Sequence, residues 1–167
     1  MEATEEPRWL DTEEQETWFA LTGMPSWLPD ALDAQLQRDA GISHFEYQVM
    51  AKLSMSPQRT RRMKEVAALA NGSLTRLSRT VDRLEARGWV TRRPDPDDGR
   101  STLAVLTDAG WDKLVATAPG HVAEVRRLAF DPLTRTQARH LHEIATRVGE
   151  VVQPDGCVPT LPAPDTA

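Results

Sequence analysis

Three arginines, Arg76, Arg79 and Arg83, stand at i, i+3 and i+7 in the run "SLTRLSRTVDRLEARG" that begins at Ser73. On a helix that spacing aligns the guanidinium groups along one side. Leu74, Leu77, Val81 and Leu84 claim the opposite face, so Thr75, Arg76, Ser78, Arg79, Asp82 and Arg83 point outward. A guanidinium is a planar fork of donors that matches the paired acceptors O6 and N7 of guanine, while Ser and Thr hydroxyls bond to bases or phosphates. The alternative is a solvated amphipathic face with local Arg–Asp pairs. Arg83 is the weakest candidate, because Asp82, Glu85 or a neighbouring segment could hold it structurally.

A second constellation is "PDPDDGR", Pro94 to Arg100, between "WVTRR" and "STLAVLT". The flanking runs are short and rich in β-branched and aromatic residues, which predicts two strands joined by a long, turn-rich tip. An exposed arginine on such a tip can enter a minor groove, whose narrow A·T tracts attract cations. Asp98, two residues before Arg100, could accept from its guanidinium and fix its direction. Asp95 and Asp97 are read as turn formers, stiffened by Pro94 and Pro96.

The bulk charge of −5 hides this basic region. From Pro57 to Leu103 there are eleven Arg and Lys against six Asp and Glu, a net of +5, which leaves −10 on the remainder. A basic middle between acidic flanks is an electrostatic footprint for a polyanion.

The elements that must hold these residues follow from spacing. Residues 1–10 are expected to be loose. The region 11–40 carries helical periodicity at Trp18, Leu21, Leu28, Ala31, Leu32 and Leu36. Gly23, Pro25 and Pro29 predict a kink there or two helices. Ser43 with Glu46 forms a capping box for a helix that buries Phe45, Val49, Met50 and Leu53. "SPQRT" predicts a turn with room for a short strand. "MKEVAALA" is a helix, Asn71–Gly72 the break, Ser73 the cap of the next helix, and Gly88 its end. Helix, tight turn, helix and hairpin together make a winged helix-turn-helix over 41–106. Thr107 caps a further helix that Gly110 weakens locally and Pro119 bends. Thr134 and Gln137 box the start of a last helix, with Ala138, Leu141, Ile144, Ala145, Val148 and Val151 as its stripe. The tail 153–167 is proline-rich and expected to be disordered. The fold class is therefore mainly α with a small β-hairpin wing.

No apolar run approaches the roughly 20 residues of a membrane span, and the acidic N-terminus is unlike a signal peptide. The one cysteine, Cys157, suits a reducing interior, so a cytoplasmic location is expected. Cys157 lies in the proline-rich tail and is not read as a redox sensor. His44, His121, His140 and His142 lack ligand spacing, so no metal site is expected. Trp18, Trp27, Trp89 and Trp111 are assigned to core or subunit packing. No phosphate loop or catalytic triad is present, so neither cofactor nor enzyme activity is expected.

From about Ile42 to Gly110 the sequence resembles the MarR family of winged-helix regulators. The resemblance rests on "FEYQVMAKLS" and "VAALANGSLTRLSRTVDRLEARGWVTRRPDPDDGRSTLAVLTDAG", above all on "DPDDGR" leading into "VLTDAG". It implies a homodimer built by interlocking N- and C-terminal helices, the latter spanning 107–152, with one recognition helix per half-site of an inverted repeat in double-stranded DNA. By position, Ser73 to Arg79 become the base-reading segment, Arg100 the wing arginine and Asp98 its partner. Arg61, Arg62 and Lys64 become candidates for phosphate contact. The family often responds to small aromatic or phenolic ligands, which would make this chain a repressor released by such a molecule. The rival reading from another class is a winged-helix protein-interaction module without specific DNA binding.

Overall fold

The computed structural model describes residues 7–152. Asp11 opens the first helix with a capping box. Its carboxylate accepts from the Glu14 amide at 2.8 Å, and the Glu14 carboxylate accepts from the Asp11 amide at 3.0 Å. The helix α1 then runs as one element, Thr12–Ala40. The two-helix alternative is therefore excluded: the element runs unbroken through both prolines. The prolines stand four apart, so the carbonyls they leave without a helical donor belong to Leu21 and Pro25. Both residues are exposed, and water can satisfy them. Gly23 has a packing role instead of a breaking one: a Cβ there would collide with the Trp27 ring.

Helix α2, His44–Ser54, starts at the anticipated box, with Ser43 accepting from the Glu46 amide at 3.1 Å. The "SPQRT" segment becomes a short turn, Pro57–Arg59, and then strand β1, Thr60–Arg62. Helices α3, Met63–Leu69, and α4, Leu74–Ala86, follow. Asn71 takes the positive φ of the intervening turn, at 49°. Strands β2, Val90–Pro94, and β3, Thr102–Leu106, form the hairpin, and β1 adds to its other edge, giving an antiparallel sheet of order β1-β3-β2. The wing therefore has three strands, with Arg61 opposite Ala104 and Arg92 opposite the same residue across the other ladder.

The core of this unit is a single apolar cluster. Leu36 of α1, Ile42, Val49 and Leu53 of the α2 region, Val66 of α3, Leu77, Val81 and Leu84 of α4, and Val90 and Ala104 of the sheet all belong to it. Leu74, expected on the buried face, instead stands at the first position of α4 and is 53% exposed.

Helix α5, Asp108–Val125, is capped by Thr107, whose hydroxyl accepts from the Gly110 amide at 3.0 Å, and it continues through Pro119. Gly110 is buried, and a Cβ there would collide with the Trp89 carbonyl oxygen. It permits close packing of helix on strand, which is a stronger constraint than the local weakness expected from sequence.

The chain divides into two units, the first ending at Glu124 and the second beginning at Val125. The second contains a π-helical segment, Arg126–Phe130, and helix α6, Arg135–Val152. Thr134 and Gln137 cap α6 as anticipated, the Gln137 amide donating to the Thr134 hydroxyl at 3.2 Å. The stripe of α6 is present but uncovered in the single chain: Leu141, Ile144, Val148 and Val151 are all exposed. The expectations for the tail from Gln153, and for Cys157 in it, lie outside the described residues.

Candidate nucleic-acid interface

Helix α4 begins at Ser73, whose hydroxyl accepts from the Arg76 amide at 3.1 Å. With Leu77, Thr80, Val81 and Leu84 facing inward, Thr75, Arg76 and Arg79 are left exposed and Ser78 half-buried. The three arginines of the stripe then differ. Arg76 lies over the Phe45 ring of α2, its guanidinium carbon 4.1 Å from the centroid. Arg79 makes no ion pair among the described residues and stands in solvent. Arg83 is committed elsewhere. Its Nε donates to Glu46 Oε1 at 2.8 Å and its Nη2 to the Thr80 hydroxyl at 3.2 Å, which fastens α4 to α2.

Glu46 is buried, and burial alone would raise its carboxyl. The hydrogen bond from Arg83, that from the Ser43 amide, and the positive charge of Arg83 and Arg87 outweigh it, and the carboxyl sits below its ordinary value. The neighbouring segment that holds Arg83 is thus α2, and its carboxylate also closes the α2 capping box at 2.8 Å from the Ser43 amide.

The acid in the wing is scaffolding. Asp95 is buried, accepts from the Asp97 amide at 3.0 Å, and takes the Arg62 Nε at 2.6 Å. Those two hydrogen bonds, from the Asp97 amide first and Arg62 second, hold its carboxyl below the usual range. Asp98 accepts from the Ser101 hydroxyl at 2.8 Å and from the Arg100 amide at 3.1 Å, which lowers its carboxyl as well. The expectation for Asp98 is corrected here. It grips the backbone of Arg100, not its guanidinium, because an Asx turn of two residues brings the amide within reach and leaves the long side chain outside. The Arg100 side chain is exposed and forms no ion pair among the described residues.

Of the three residues read as phosphate contacts, Lys64 is exposed, Arg61 lies 3.6 Å from Glu65, and Arg62 is spent on Asp95. Sequence reasoning missed Arg92. Its Nη1 donates to Asp82 and to Glu85, each at 2.7 Å, and its Nη2 to the Ser78 carbonyl at 2.7 Å, while its amide donates to Glu85 at 2.8 Å. One side chain therefore locks the outer face of α4 to strand β2 of the wing. The signal was there, since an arginine in a strand beside a helix carrying Asp82 and Glu85 has obvious partners, but only the fold brings them together.

The structure also joins two histidines that sequence spacing kept apart. The His44 and His121 ring centroids are 5.8 Å apart, and Tyr47 lies 4.2 Å from His121. Beside them a cavity of about 200 Å³ opens between α1 and α5, lined by Gln35, Asp39, Ala40, Lys113, Ala116, Thr117 and Gly120.

Helices α3 and α4 joined by a tight turn, with an antiparallel wing directly after α4, place the fold in the winged helix-turn-helix class. Within it, the MarR family model matches residues 40–101. The crystal structure of Sco3205, a MarR family transcriptional regulator from Streptomyces coelicolor in complex with DNA, is 48% identical and superposes with a TM-score of 0.84, covering 90% of this chain and 94% of that one. AbsC, another MarR family transcriptional regulator of Streptomyces coelicolor, is 30% identical with a TM-score of 0.81 over 89% and 99% of the two chains. YkoM of Bacillus subtilis, an uncharacterized HTH-type transcriptional regulator, is 29% identical over 67% of this chain and 71% of its own. The chain belongs to the MarR family. Among the described residues no helix is long and apolar enough to cross a membrane.

Proposed function

We propose that the chain is a cytoplasmic, sequence-specific DNA-binding transcriptional regulator, acting as a homodimeric repressor on an inverted repeat and released by a small ligand. The observation that carries this reading is the outward face of α4, presented rigidly beside the wing by the Arg92 clamp. In the major groove, Arg76 and Arg79 read guanine edges, and Ser73, Thr75 and Ser78 bond to bases or phosphates. Arg100 enters the adjacent minor groove, on a tip whose backbone Asp98 holds in place. Lys64 and Arg61 meet phosphates. Arg62 and Arg83 serve the scaffold first, through Asp95 and Glu46.

Dimerisation is supported by apolar side chains that a solitary chain leaves in water, such as Trp18, Phe19 and Trp27 on α1 and Ile144 and Val148 on α6. Two copies would present two α4 helices to half-sites centred about one helical turn apart, ~10–10.5 bp. A ligand can release DNA only by preferring a dimer geometry in which that spacing is wrong. The cleft of about 200 Å³ between α1 and α5, with Gln35, Asp39, Lys113 and Thr117 in its lining, is the place in this unit where a small ligand would bridge two helices.

Selection of bound sequences from a random duplex pool tests the reading. A palindrome whose half-sites are about ten base pairs apart supports it. Equal weak binding to every duplex, insensitive to salt, would instead favour the protein-interaction module.

A further inference from the structure

Resting on the DNA-reading role proposed for α4, we infer that Phe45 is a positioning residue that fixes the direction of Arg76 and so sets how strictly one base pair is read. Phe45 belongs to α2, away from the recognition helix in sequence, yet its ring carries the Arg76 guanidinium at 4.1 Å. The ring cannot retreat. It is 6% exposed, and at its Cζ–Cε2 end the chain turns at Gly72, where an added Cβ would meet those two ring atoms at 2.6 and 2.8 Å. Gly72 does not have a left-handed φ, unlike Asn71 before it, so its lack of a side chain serves this contact and not the turn.

The platform itself is anchored. Ser43 and Glu46 cap α2 on either side of Phe45, and the same Glu46 carboxylate holds Arg83 one helical turn beyond Arg79. Phe45 and Arg76 therefore move as parts of one braced pair of helices. A guanidinium stacked on an aromatic face keeps its N–H donors pointing outward in its own plane, free for the forked pair with O6 and N7. An arginine in open solvent must give up its rotamer freedom on docking, whereas one already stacked has little left to lose. Arg79 has no such ring beneath it among the described residues, so the two arginines are prepared unequally.

The test uses the full chain and a random duplex pool, with wild type, Arg76→Ala, Phe45→Met, Gly72→Ala, and Phe45→Met combined with Arg76→Ala. Methionine preserves bulk without a π face, and the alanine at 72 displaces the ring while leaving Phe45 and Arg76 chemically intact. Thermal melting establishes which variants fold; if Phe45→Met does not, Gly72→Ala decides. The expected result is a loss of preference of roughly three- to tenfold at the one base pair that Arg76→Ala also relaxes, as loss of a cation–π contact implies. The other positions and the salt dependence stay as in wild type, and Phe45→Met adds nothing once Arg76 is alanine. Uniform weakening at every position, or an equal effect of Phe45→Met with and without Arg76, would show that the ring only fills the core and overturn the inference. A wild-type chain without any base preference fails earlier, at the DNA-reading role itself, and takes this inference with it.

Discussion

An arginine's usefulness at a surface depends on what already holds it. Arg62, Arg83 and Arg92 are bound to Asp95, Glu46 and the Asp82–Glu85 pair, whereas Arg79 and Arg100 have no such partner among the described residues. The division predicts distinct phenotypes. Arg79→Ala or Arg76→Ala should cost ~1–3 kcal/mol of binding and relax one base position if each forms a bidentate guanine pair, which competition against single-base operator variants would reveal. Arg100→Ala should abolish the gel shift of a weak operator while the melting transition stays where it is. Arg92→Ala should do the reverse of a base contact: affinity falls for all sequences alike, because α4 and the wing lose their common reference. The local part of this was legible in the sequence. The i, i+3, i+7 stripe needed only periodicity and the wing-tip Arg100 only the turn-rich run around it, but Arg83 and Arg62 find partners 37 and 33 residues away, and no short-range pattern encodes those.

At the scale of elements, the joints are where packing overrules propensity. Gly110 reads as a weak point of α5, yet it is the residue that lets the first turn of that helix press on the Trp89 carbonyl. Gly110→Ala, although it favours the helix by roughly 1 kcal/mol in isolation, should destabilise the protein by about 1–3 kcal/mol through overpacking, read as a lowered denaturation midpoint. The α2–α5 joint carries His44 and His121. Burial lowers the pKa of both below the usual imidazole value; the charge of Arg76 lowers His44 further against the opposing pull of Asp33, and His44 lowers His121. Tyr47 packs on His121, and Gln35 of α1 lies 3.4 Å from its Nδ1. The folded chain then binds fewer protons than the unfolded one. The stability these groups contribute is complete above the usual value near 6.5 and is lost as pH falls from there through their lower folded-state values. The melting temperature should drop between about pH 7.5 and about pH 5.5 by more in wild type than in His121→Gln.

For the whole molecule, the governing facts are an uneven charge and an uncovered apolar surface. A chain of net −5 can associate with a polyanion when its basic middle faces the ligand and its acidic flanks face away. Binding should therefore weaken steeply as salt rises, the slope counting the phosphates neutralised. Ile144, 56% exposed on α6, belongs to a stripe with Leu141 and Val148 that water does not favour. On the proposed dimeric reading, Ile144→Arg should give a monomer on sizing and lower the affinity for DNA; an unchanged elution volume would place the subunit contact elsewhere.

The capped starts of three helices, the two hairpin strands and the order of elements were determined by the sequence alone, because caps, local composition and periodicity act over a few residues. Ser43 with Glu46, Ser73, and Thr134 with Gln137 all cap where their spacing says they should. The continuity of α1 through Pro25 and Pro29, the third strand of the wing, the burial of Asp95 and the meeting of His44 with His121 were decided by tertiary structure. Each of these depends on solvent access or on a partner distant along the chain, and those quantities exist only once the core has closed.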